Sequence, residues 1–538
     1  MSTTLSRRTR TGSALASISG FAAAWMAMMA TRYFALSADD INGGIGIGVD
    51  EGSWLSTAYS ACEPIGVILG CWLSIGLSIR RVLLASVAVF IAAMLLPVVA
   101  PGFMILLISR ALTGLAAGGI LPLSILTQLR VFGPTWRPLA IGIYASSTTM
   151  GPQLAACIDA WIVQRYGWTA VLWASLAPGL VSFATGFVGL WKDPIRWRPL
   201  LRTDLAGLTS LATGLGLFVC GVSQGDRLRW FQEPLIPAFL IAAAACFALF
   251  LTHESRHIRY PVVFIGLARR WNLALGALCT LPLELATIFS GAIVPSALAQ
   301  LQGFRPEQIA PALTEVLWPQ LISYTACIIV LSTRLMETRA ILVTGLCVIA
   351  IGCFFDLPIT SDWIVANLDT AQVLQGIGLP LIIVPLLHMF VGEVVPREGV
   401  HAASIFNVCR SLSGTIATAW ATTSLRLHGE SKYSELLSNT GFYPHGHETI
   451  LATIAAHADH ASADPMRVHL QALQIVAETA RRQATVLGVS DTLSDLGWIL
   501  FASCALAILM AKLGNGRPEQ PSGTMVAGEA HPARVKLV

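Results

Sequence analysis

Ionisable side chains inside apolar stretches are the residues of this sequence that are best placed to do chemistry. Glu63, Asp159 and Glu284 lie within runs of apolar residues, and so do Arg110 and Arg410. A charge at such a position is costly and is a functional-site hypothesis by default. A carboxyl group there is stabilised in its protonated form, so it could load a proton on one side and release it on the other. The pattern favours proton or ion transfer.

The composition identifies the surroundings of these charges as a lipid bilayer. Of 538 residues, 55% are hydrophobic and 12% are charged, whereas soluble domains have about 25% charged residues. The mean hydropathy of +0.68 excludes a disordered chain. A net charge of +4 with scattered basic residues argues against binding of nucleic acid. The eleven cysteines form no CxxC pair, so we expect no disulfide framework, metal site or cofactor.

Fourteen apolar runs are long enough to cross the membrane as helices, for which about 20 residues are needed. These predicted spans, numbered 1 to 14, cover 14–36, 53–76, 81–100, 103–127, 138–163, 168–191, 203–223, 235–253, 272–299, 309–332, 338–356, 369–392, 400–424 and 491–513. With both termini cytoplasmic, 22 Lys and Arg residues fall in inner segments and four in the short outer loops. Because Lys and Arg are enriched on the cytoplasmic side, the sequence predicts an all-α, multi-pass protein of the inner membrane with both termini inside.

A long polar segment, 426–490, lies on the outer side between spans 13 and 14. It contains helical patterns such as 466–473 and is expected to be a solvated helical loop. Six of the eleven histidines fall in it: His428, His445, His447, His457, His460 and His469. A metal site is the alternative, although no helical histidine pair with a carboxylate recurs.

Two weak internal repeats predict how the spans are grouped. Residues 80–84 and 338–342 both open a span with a basic residue followed by apolar ones, and 111–116 resembles 373–378. The offset of eight spans fits two six-helix halves that are separated by an extra pair of helices. We therefore predict an N-terminal half, a linking pair, a C-terminal half and a cytoplasmic tail, over 1–200, 201–260, 261–513 and 514–538. Secondary transporters are built from such repeats.

Several segments resemble the fourteen-span drug:proton antiporters of the major facilitator superfamily, the EmrB/QacA type. They are Asp50 to Tyr59 at the start of span 2, Arg110 to Gly119 in span 4, Gly142 with Met150-Gly151-Pro152 in span 5, Tyr166-Gly167-Trp168 before span 6, Asp204 to Gly207 before span 7, and Phe406 to Arg410 with Gly414 in span 13. The resemblance covers almost the whole chain. It implies the major facilitator fold, with two six-helix halves plus two extra central helices, and proton-coupled export of amphipathic drugs or aromatic compounds.

The chain departs from the family pattern at three places. Its loop between spans 2 and 3 lacks the usual acid, and the span-1 aspartate is replaced near Ala30, with Arg32 two residues on. The glycine pair that follows Gly151-Pro152 in the family becomes Asp159-Ala160. Coupling in the family's usual form is therefore not implied for this chain.

Four residues are candidates for proton coupling. Glu63 is about ten residues from the outer end of span 2, roughly 15 Å deep and near the midplane; the alternative is a structural pair with an arginine. Glu284 lies at a similar depth in span 9. It is either a second proton or cation site or a satisfied polar contact. Arg110 either tunes a neighbouring acid, which the resemblance favours, or holds the helix packing. Asp159 is the fourth, although its position in the outer third of its span favours a water-lined vestibule.

Four further residues are candidates for lining the substrate cavity. Arg410 would clamp an anionic substrate or pair with an acid, and Arg32 would contact an anion or extend its head group to the interface. Glu315 lies in the outer third of span 10, where a vestibule position is favoured. Asn407 belongs to the motif in span 13.

Small residues and a proline are expected to shape the interface between the halves. Gly114, Gly142 and Gly151 would let helices approach closely, and Pro152 would bend span 5 at a fixed place. In an alternating-access transporter such an interface serves as the gate.

The predicted function is a secondary active exporter rather than an enzyme. Its partners would be small-molecule substrates, protons and the lipid bilayer. The outer segment 426–490 would also contact a periplasmic membrane-fusion adaptor, which in resembling systems leads to an outer-membrane channel. One alternative is a narrow exporter of an anionic metabolite or siderophore, with Arg32 and Arg410 as anion contacts. A membrane enzyme or sensor is disfavoured because the sequence has no nucleotide-binding loop or nucleophile motif.

Overall fold

The computed structural model describes residues 10–100, 102–167, 169–201, 203–254, 266–267, 270–395, 397–441 and 465–510. Within these ranges all regular structure is helical. The long apolar runs dictate this outcome, because a helix satisfies every backbone polar group within its own segment and lipid offers no other partner.

The N-terminal helices pack around one apolar core. They are α1 (Arg10–Leu36), α2 (Ala38–Ile45), α3 (Val49–Leu77), α4 (Ile79–Val99), α5 (Phe103–Phe132), α6 (Arg137–Tyr166), α7 (Thr169–Ala174), α8 (Leu176–Gly189) and α9 (Trp197–Leu201). Met26, Phe90 and Leu123 are fully buried in the core. The short helix α2 lies at one end of this group, in the connection between the helices of the first two predicted spans.

Two central helices lie against the N-terminal group. They are α10 (Leu205–Gly225) and α11 (Leu235–Glu254). Leu208, Leu215 and Phe250 pack on Ile68 of α3, and Leu412 joins them from the C-terminal part of the chain. The pair therefore covers the side of the bundle on which residues of α3 and the later helices meet.

The C-terminal helices form the larger apolar core. They are α12 (Trp271–Leu278), α13 (Thr280–Ile288), a π-helical turn (Phe289–Ile293), α14 (Val294–Gln302), α15 (Pro306–Thr314), α16 (Leu317–Thr333), α17 (Thr338–Phe355), α18 (Asp369–Gly392), α19 (Gly399–Gly441) and α20 (Pro465–Leu509). The segments from α12 to α14 follow one another directly and form one crossing, Trp271–Gln302. The π-helical turn sits within that crossing, where such turns frequently mark functional sites.

Twelve helical segments among the described residues are long and apolar enough to cross a membrane. The predicted spans 138–163 and 400–424 are also helical, as parts of α6 and α19, but they are not among the twelve. Both helices carry polar residues that face other helices, such as Ser147, Thr149 and Gln153 in α6. Their low hydropathy therefore reflects packing inside the bundle.

The described parts of segment 426–490, which is predicted to lie on the outer side, are more continuous with the neighbouring predicted spans than the sequence predicts. α19 continues unbroken past its predicted span to Gly441, and α20 begins at Pro465, which confirms a helical pattern at 466–473. The two helices touch where Gly488 approaches the backbone of Gly429, leaving no room for a Cβ atom.

The histidines of the outer segment do not support the metal alternative as far as the structure describes them. His428 Nε2 lies 3.0 Å from Asp495 Oδ2, and its Nδ1 lies 3.8 Å from Asp491 Oδ2. Within the described ranges no group of three metal-binding side chains is found. His445, His447, His457 and His460 lie outside the described residues, as does the side chain of His469.

Candidate functional site

Glycines on α3 and α5 bring these helices into backbone contact and so fix the position of Glu63. A Cβ atom on Gly70 would lie 2.6 Å from the Cα of Gly119, and one on Gly118 would lie 2.6 Å from the backbone nitrogen of Val67. Gly114, predicted as an interface residue, faces the carbonyl of Tyr59 in the same way. Small residues are what permit such close packing in membranes.

An ion pair joins two helices of the C-terminal group. Arg410 Nε on α19 lies 2.8 Å from Glu284 Oε1 on α13, and the two side chains are only 13% and 15% exposed. Thr287 Oγ1 lies 3.3 Å from the other carboxylate oxygen of Glu284. Of the alternatives for Arg410, pairing with an acid is therefore the one observed.

Glu63 meets this ion pair from the N-terminal group of helices. The charges of Arg410 and Glu284 both act on its carboxyl group, and α3 packs against α19, the helix that carries Arg410 and Ser411. Arg410 is thus next to two carboxyl groups but makes its ion pair with Glu284 alone. Throughout the described ranges Glu63 has no ion pair within 4.0 Å. Three residues that were predicted separately therefore form one cluster, which we call the charge cluster: Glu63, Glu284 and Arg410.

Uncharged polar contacts extend the charge cluster across the interface between the two groups of helices. The Tyr144 hydroxyl donates to Asn407 Oδ1 at 3.1 Å and also lies within hydrogen-bonding reach of Arg410. Further along α6, Thr149 Oγ1 lies 2.6 Å from the Tyr324 hydroxyl and accepts a bond from Gln320 at 2.8 Å. Asn407 is therefore buried at the interface between helices, at 3% exposure.

Gln320 and Tyr324 are functional candidates at this interface that sequence reasoning missed. Gln320 is fully buried and Tyr324 nearly so, yet neither carries a charge that would draw attention in an apolar run. The available signal was the amide side chain itself, because an amide buried in a membrane helix requires a hydrogen-bond partner.

Arg110 lies between two aromatic rings. Its guanidinium carbon is 4.0 Å from the ring centre of Phe34 and 4.5 Å from that of Tyr59, and the residue is 4% exposed. No carboxylate of the described residues lies within ion-pair distance of it. Cation–π contacts of this kind stabilise a desolvated guanidinium. The geometry matches the alternative that Arg110 holds the helix packing, and it does not match direct tuning of an acid.

Arg32 and Asp159 form a separate polar group nearer the predicted outer side. Arg32 donates to the backbone carbonyl of Gly291 in the π-helical turn, and its Nε and Nη2 atoms are also buried. Asp159, whose charge acts on Arg32, accepts a hydrogen bond of 2.9 Å from Ser37 Oγ. The expectation that Asp159 lines a wet vestibule is wrong in this conformation, because the residue is 1% exposed. The head group of Arg32 is likewise directed at another helical segment, where it donates to the Gly291 carbonyl.

Glu315 lies apart from the charge cluster. It ends α15 and is half-buried, and its carboxyl group is adjacent to that of Asp369 at the start of α18. Two adjacent carboxyl groups favour a shared proton. The structure therefore places Glu315 beside another acid and away from Glu63, Glu284 and Arg410.

The remaining predicted interface residues lie along α6. A Cβ atom on Gly151 would be 2.9 Å from Trp25 of α1, and one on Gly142 would meet the side chain of Ile328 of α16. Pro152 lies inside α6, next to Gln153, which donates to Ser290 Oγ at 3.2 Å. α6 therefore touches helices of both groups along its length.

Comparison with known protein families identifies the family to which this helical arrangement belongs. Residues 20–418 match the sequence profile described as Major Facilitator Superfamily. The chain belongs to this superfamily. It is therefore a multi-pass membrane protein of a transporter family. This agrees with the predicted transporter and argues against an enzyme.

Relatives and solved structures agree with the major facilitator assignment. The chain is 24% identical to the fatty acid resistance protein FarB of Neisseria gonorrhoeae, over 91% of this chain and 94% of FarB. It is 25% identical to the multidrug export protein EmrB of Haemophilus influenzae, over 71% of this chain and 74% of EmrB. Its fold resembles that of the human organic anion transporter MFSD10, with a TM-score of 0.55 and 12% identity, over 92% of this chain and all of that one.

A further buried acid of this major facilitator chain lies outside the charge cluster. Asp356 directly follows α17, is 2% exposed, and has one carboxylate oxygen without a hydrogen-bond partner. The side chains around it are apolar and include Leu298, Trp363 and Leu493. Burying an unpartnered charge in such surroundings is costly.

We expect Asp356→Asn to stabilise the protein. The substitution removes the ionisable group and keeps the side chain's shape, so the melting temperature in detergent should rise by roughly 2 °C or more at about pH 8. The gain should vanish at about pH 4, where the native carboxyl group is neutral as well. Melting curves of both proteins at the two pH values test this, and a loss of stability at the higher pH would show that the carboxylate has a favourable partner.

Proposed function

We propose that this chain is an inner-membrane exporter that moves amphipathic drugs or aromatic compounds outward in exchange for protons. The name of its relative EmrB, a multidrug export protein, supports the substrate class. The name of FarB supports amphipathic compounds more generally.

The observation that carries the proton coupling is the unpaired carboxyl group of Glu63 inside the bundle. It lies between the two groups of helices, whose relative movement is the basis of alternating access in this type of transporter. Glu284 already has Arg410 as its counter-ion, at 2.8 Å. Glu63 is therefore the acid of the charge cluster that is free to exchange a proton.

We also propose fourteen crossings, with α6 and α19 added to the twelve apolar segments. Both helices are long enough, at 30 and 43 residues, and both pack among the other membrane helices. Their addition gives an N-terminal half over 1–200, a linking pair over 201–260 and a C-terminal half over 261–513. Both termini, including the tail 514–538, would then be cytoplasmic, as the distribution of Lys and Arg predicts.

A periplasmic partner is proposed for the outer parts of α19 and α20. Leu437, Leu470 and Ile475 are exposed there at 40%, 51% and 46%, although they lie beyond the predicted spans. A membrane-fusion adaptor leading to an outer-membrane channel would suit this surface. Co-purification of the full chain with a membrane-fusion adaptor co-expressed in the same cells would test this proposal, and no association between the two would overturn it.

Export of an anionic metabolite or siderophore is not favoured as the alternative. It requires Arg32 and Arg410 to be available to an anion. Arg410 is held by Glu284, and Arg32 donates to the Gly291 carbonyl.

Transport into everted membrane vesicles tests the proposed function. An imposed pH gradient, acidic inside, should drive ethidium into vesicles that contain the protein and not into vesicles that lack it. Collapsing the gradient with nigericin should release the ethidium. Uptake that is indifferent to the gradient would overturn proton coupling, and the absence of uptake across a panel of amphipathic compounds would overturn the export function.

A further inference from the structure

Two cysteines of the C-terminal group of helices lie with their sulfur atoms in contact. Cys347 Sγ on α17 is 3.7 Å from Cys504 Sγ on α20. Cys504 is buried and Cys347 is half-buried. All eleven cysteines are free thiols within the described residues, and these two are the only pair among them in hydrogen-bonding contact. They therefore form a dithiol, which can bind one ligand atom through both sulfur atoms.

The register between α17 and α20 brings the two thiols together. A Cβ atom on Gly497 of α20 would lie 2.8 Å from the ring of Phe354 of α17, so these residues also face each other. Phe354 follows Cys347 by seven residues, and Gly497 precedes Cys504 by seven residues. The two helices therefore run antiparallel, and equal offsets of about two helical turns place Cys347 opposite Cys504.

Contacts on both sides of the dithiol hold this register. On one side, the ring centre of Phe354 is 5.3 Å from that of Trp498 and 5.8 Å from that of Phe501. On the other side, Arg339 at the start of α17 donates to the carbonyl of Met510 at 3.0 Å. Because the helices are fixed on both sides of the dithiol, the sulfur atoms cannot separate by sliding of one helix along the other.

The apolar surroundings of the dithiol restrict the charge of its ligand. Both cysteines pack within the hydrophobic core of the C-terminal group. Silver and copper(I) ions prefer thiolates, but with two thiolates they form an anion, and burying an unpaired charge is costly. Zinc prefers four ligands, and no cluster of three metal-binding side chains is found in the described residues. The site therefore suits an electrophile that binds two sulfur atoms and gives a neutral product.

The distance between the sulfur atoms distinguishes such electrophiles by their shape. Mercury(II) forms neutral but linear dithiolates, and with bonds of about 2.3 Å these hold the sulfur atoms about 4.6 Å apart. Trivalent arsenic is pyramidal, and the same bond length at an angle of about 100° gives a separation of about 3.5 Å. The observed separation is 3.7 Å. A pyramidal centre therefore fits with a small adjustment, whereas a linear ion would push α17 and α20 apart.

We infer that Cys347 and Cys504 form a covalent binding site for lipid-permeant trivalent arsenicals that carry one organic group. This inference does not depend on the proposed function. The ligand reacts as its dihydroxy form: two arsenic–sulfur bonds replace two arsenic–oxygen bonds, and each thiol proton leaves with a hydroxide as water. No oxidant or reductant is needed. The half-buried Cys347 is the point of entry, and Cys504 closes the ring, which ties α17 to α20.

Labelling of the full chain in detergent with phenylarsine oxide tests this site. After a wash with excess glutathione, which removes arsenic from single thiols, intact-mass spectrometry should show one retained phenylarsenic group per chain. Dimercaprol, itself a dithiol, should remove it. We expect Cys347→Ser and Cys504→Ser each to lower the retained arsenic by about tenfold or more, because one thiol alone lacks the gain from two-point binding.

Cys353→Ser is the matched control, because Cys353 is a buried cysteine of the same helix and has no sulfur contact within the described residues. It should retain arsenic as the unaltered protein does. Equal retention in Cys353→Ser and in either of the other variants would overturn the site, as would no retention in the unaltered protein.

The melting temperature provides a second measurement that needs no variant. Labelling should raise it by roughly 2 °C or more, because the adduct cross-links two helices of one chain. A labelled protein that melts at the same temperature as the unlabelled one would overturn the bridge between α17 and α20.

Discussion

Glu63→Gln is expected to reduce proton-driven ethidium export to the level of vesicles without the protein. The amide keeps the size and hydrogen bonding of the side chain, but it cannot bind a proton or balance a substrate's positive charge. Initial rates of ethidium uptake into everted vesicles, at a fixed pH gradient and matched protein level, measure the effect.

Glu51→Gln is the matched control, because it is the same substitution on the same helix. Glu51 is exposed at the start of α3, where its carboxylate accepts a bond from the Gly48 backbone nitrogen at 3.1 Å. We expect this variant to transport ethidium normally. If Glu63→Gln transported as well as Glu51→Gln, Glu63 would have no part in coupling.

Arg410→Gln is expected to cause the largest loss of stability, about 3–5 kcal/mol in the free energy of unfolding. It leaves the Glu284 carboxylate buried without its ion-pair partner. Glu284→Gln likewise leaves the Arg410 guanidinium buried without its ion-pair partner. Combining both substitutions removes both charges, so the double variant should recover most of the lost stability. Thermal melting of the four proteins in one detergent forms the double-mutant cycle.

An exposed ion pair provides the comparison for this cycle. Arg130 lies 2.6 Å from Asp193, and both side chains are about one-third exposed, at 35% and 37%. The hydrogen bond from Arg130 holds the pKa of the Asp193 carboxyl below its ordinary value. Arg130→Gln should nevertheless cost at most about 1 kcal/mol. An equally small loss of stability for Arg410→Gln would contradict a buried ion pair. So would a double variant whose loss equals the sum of the two single losses.

Much of the fold follows from the sequence because apolar length decides membrane crossing. The runs at 81–100 and 338–356, for example, correspond closely to α4 and α17. Hydropathy describes α6 and α19 less well, because their polar residues are buried against other helices and not exposed to water. The π-helical turn at Phe289–Ile293 was not predicted, since helix period and composition do not distinguish it from its α-helical flanks.

The candidate site was only partly predictable for a related physical reason. Glu63, Glu284 and Arg410 could each be recognised as charges in apolar runs, but their meeting depends on how three helices from distant parts of the chain pack. The position of Arg110 between Phe34 and Tyr59 depends on the same packing. Sequence position could indicate depth in the membrane, but it could not indicate which charges would pair.

The continuity of α19 links the charge cluster mechanically to the far end of the same helix. Arg410 and Gly441 belong to one unbroken helix, so they are about 47 Å apart along its axis. A rigid helix of that length acts as a lever: a tilt of about 10° at the level of Arg410 would move the tip at Gly441 by about 8 Å. A protein docked at the tip would therefore sense the loading of a carboxyl group that it never touches.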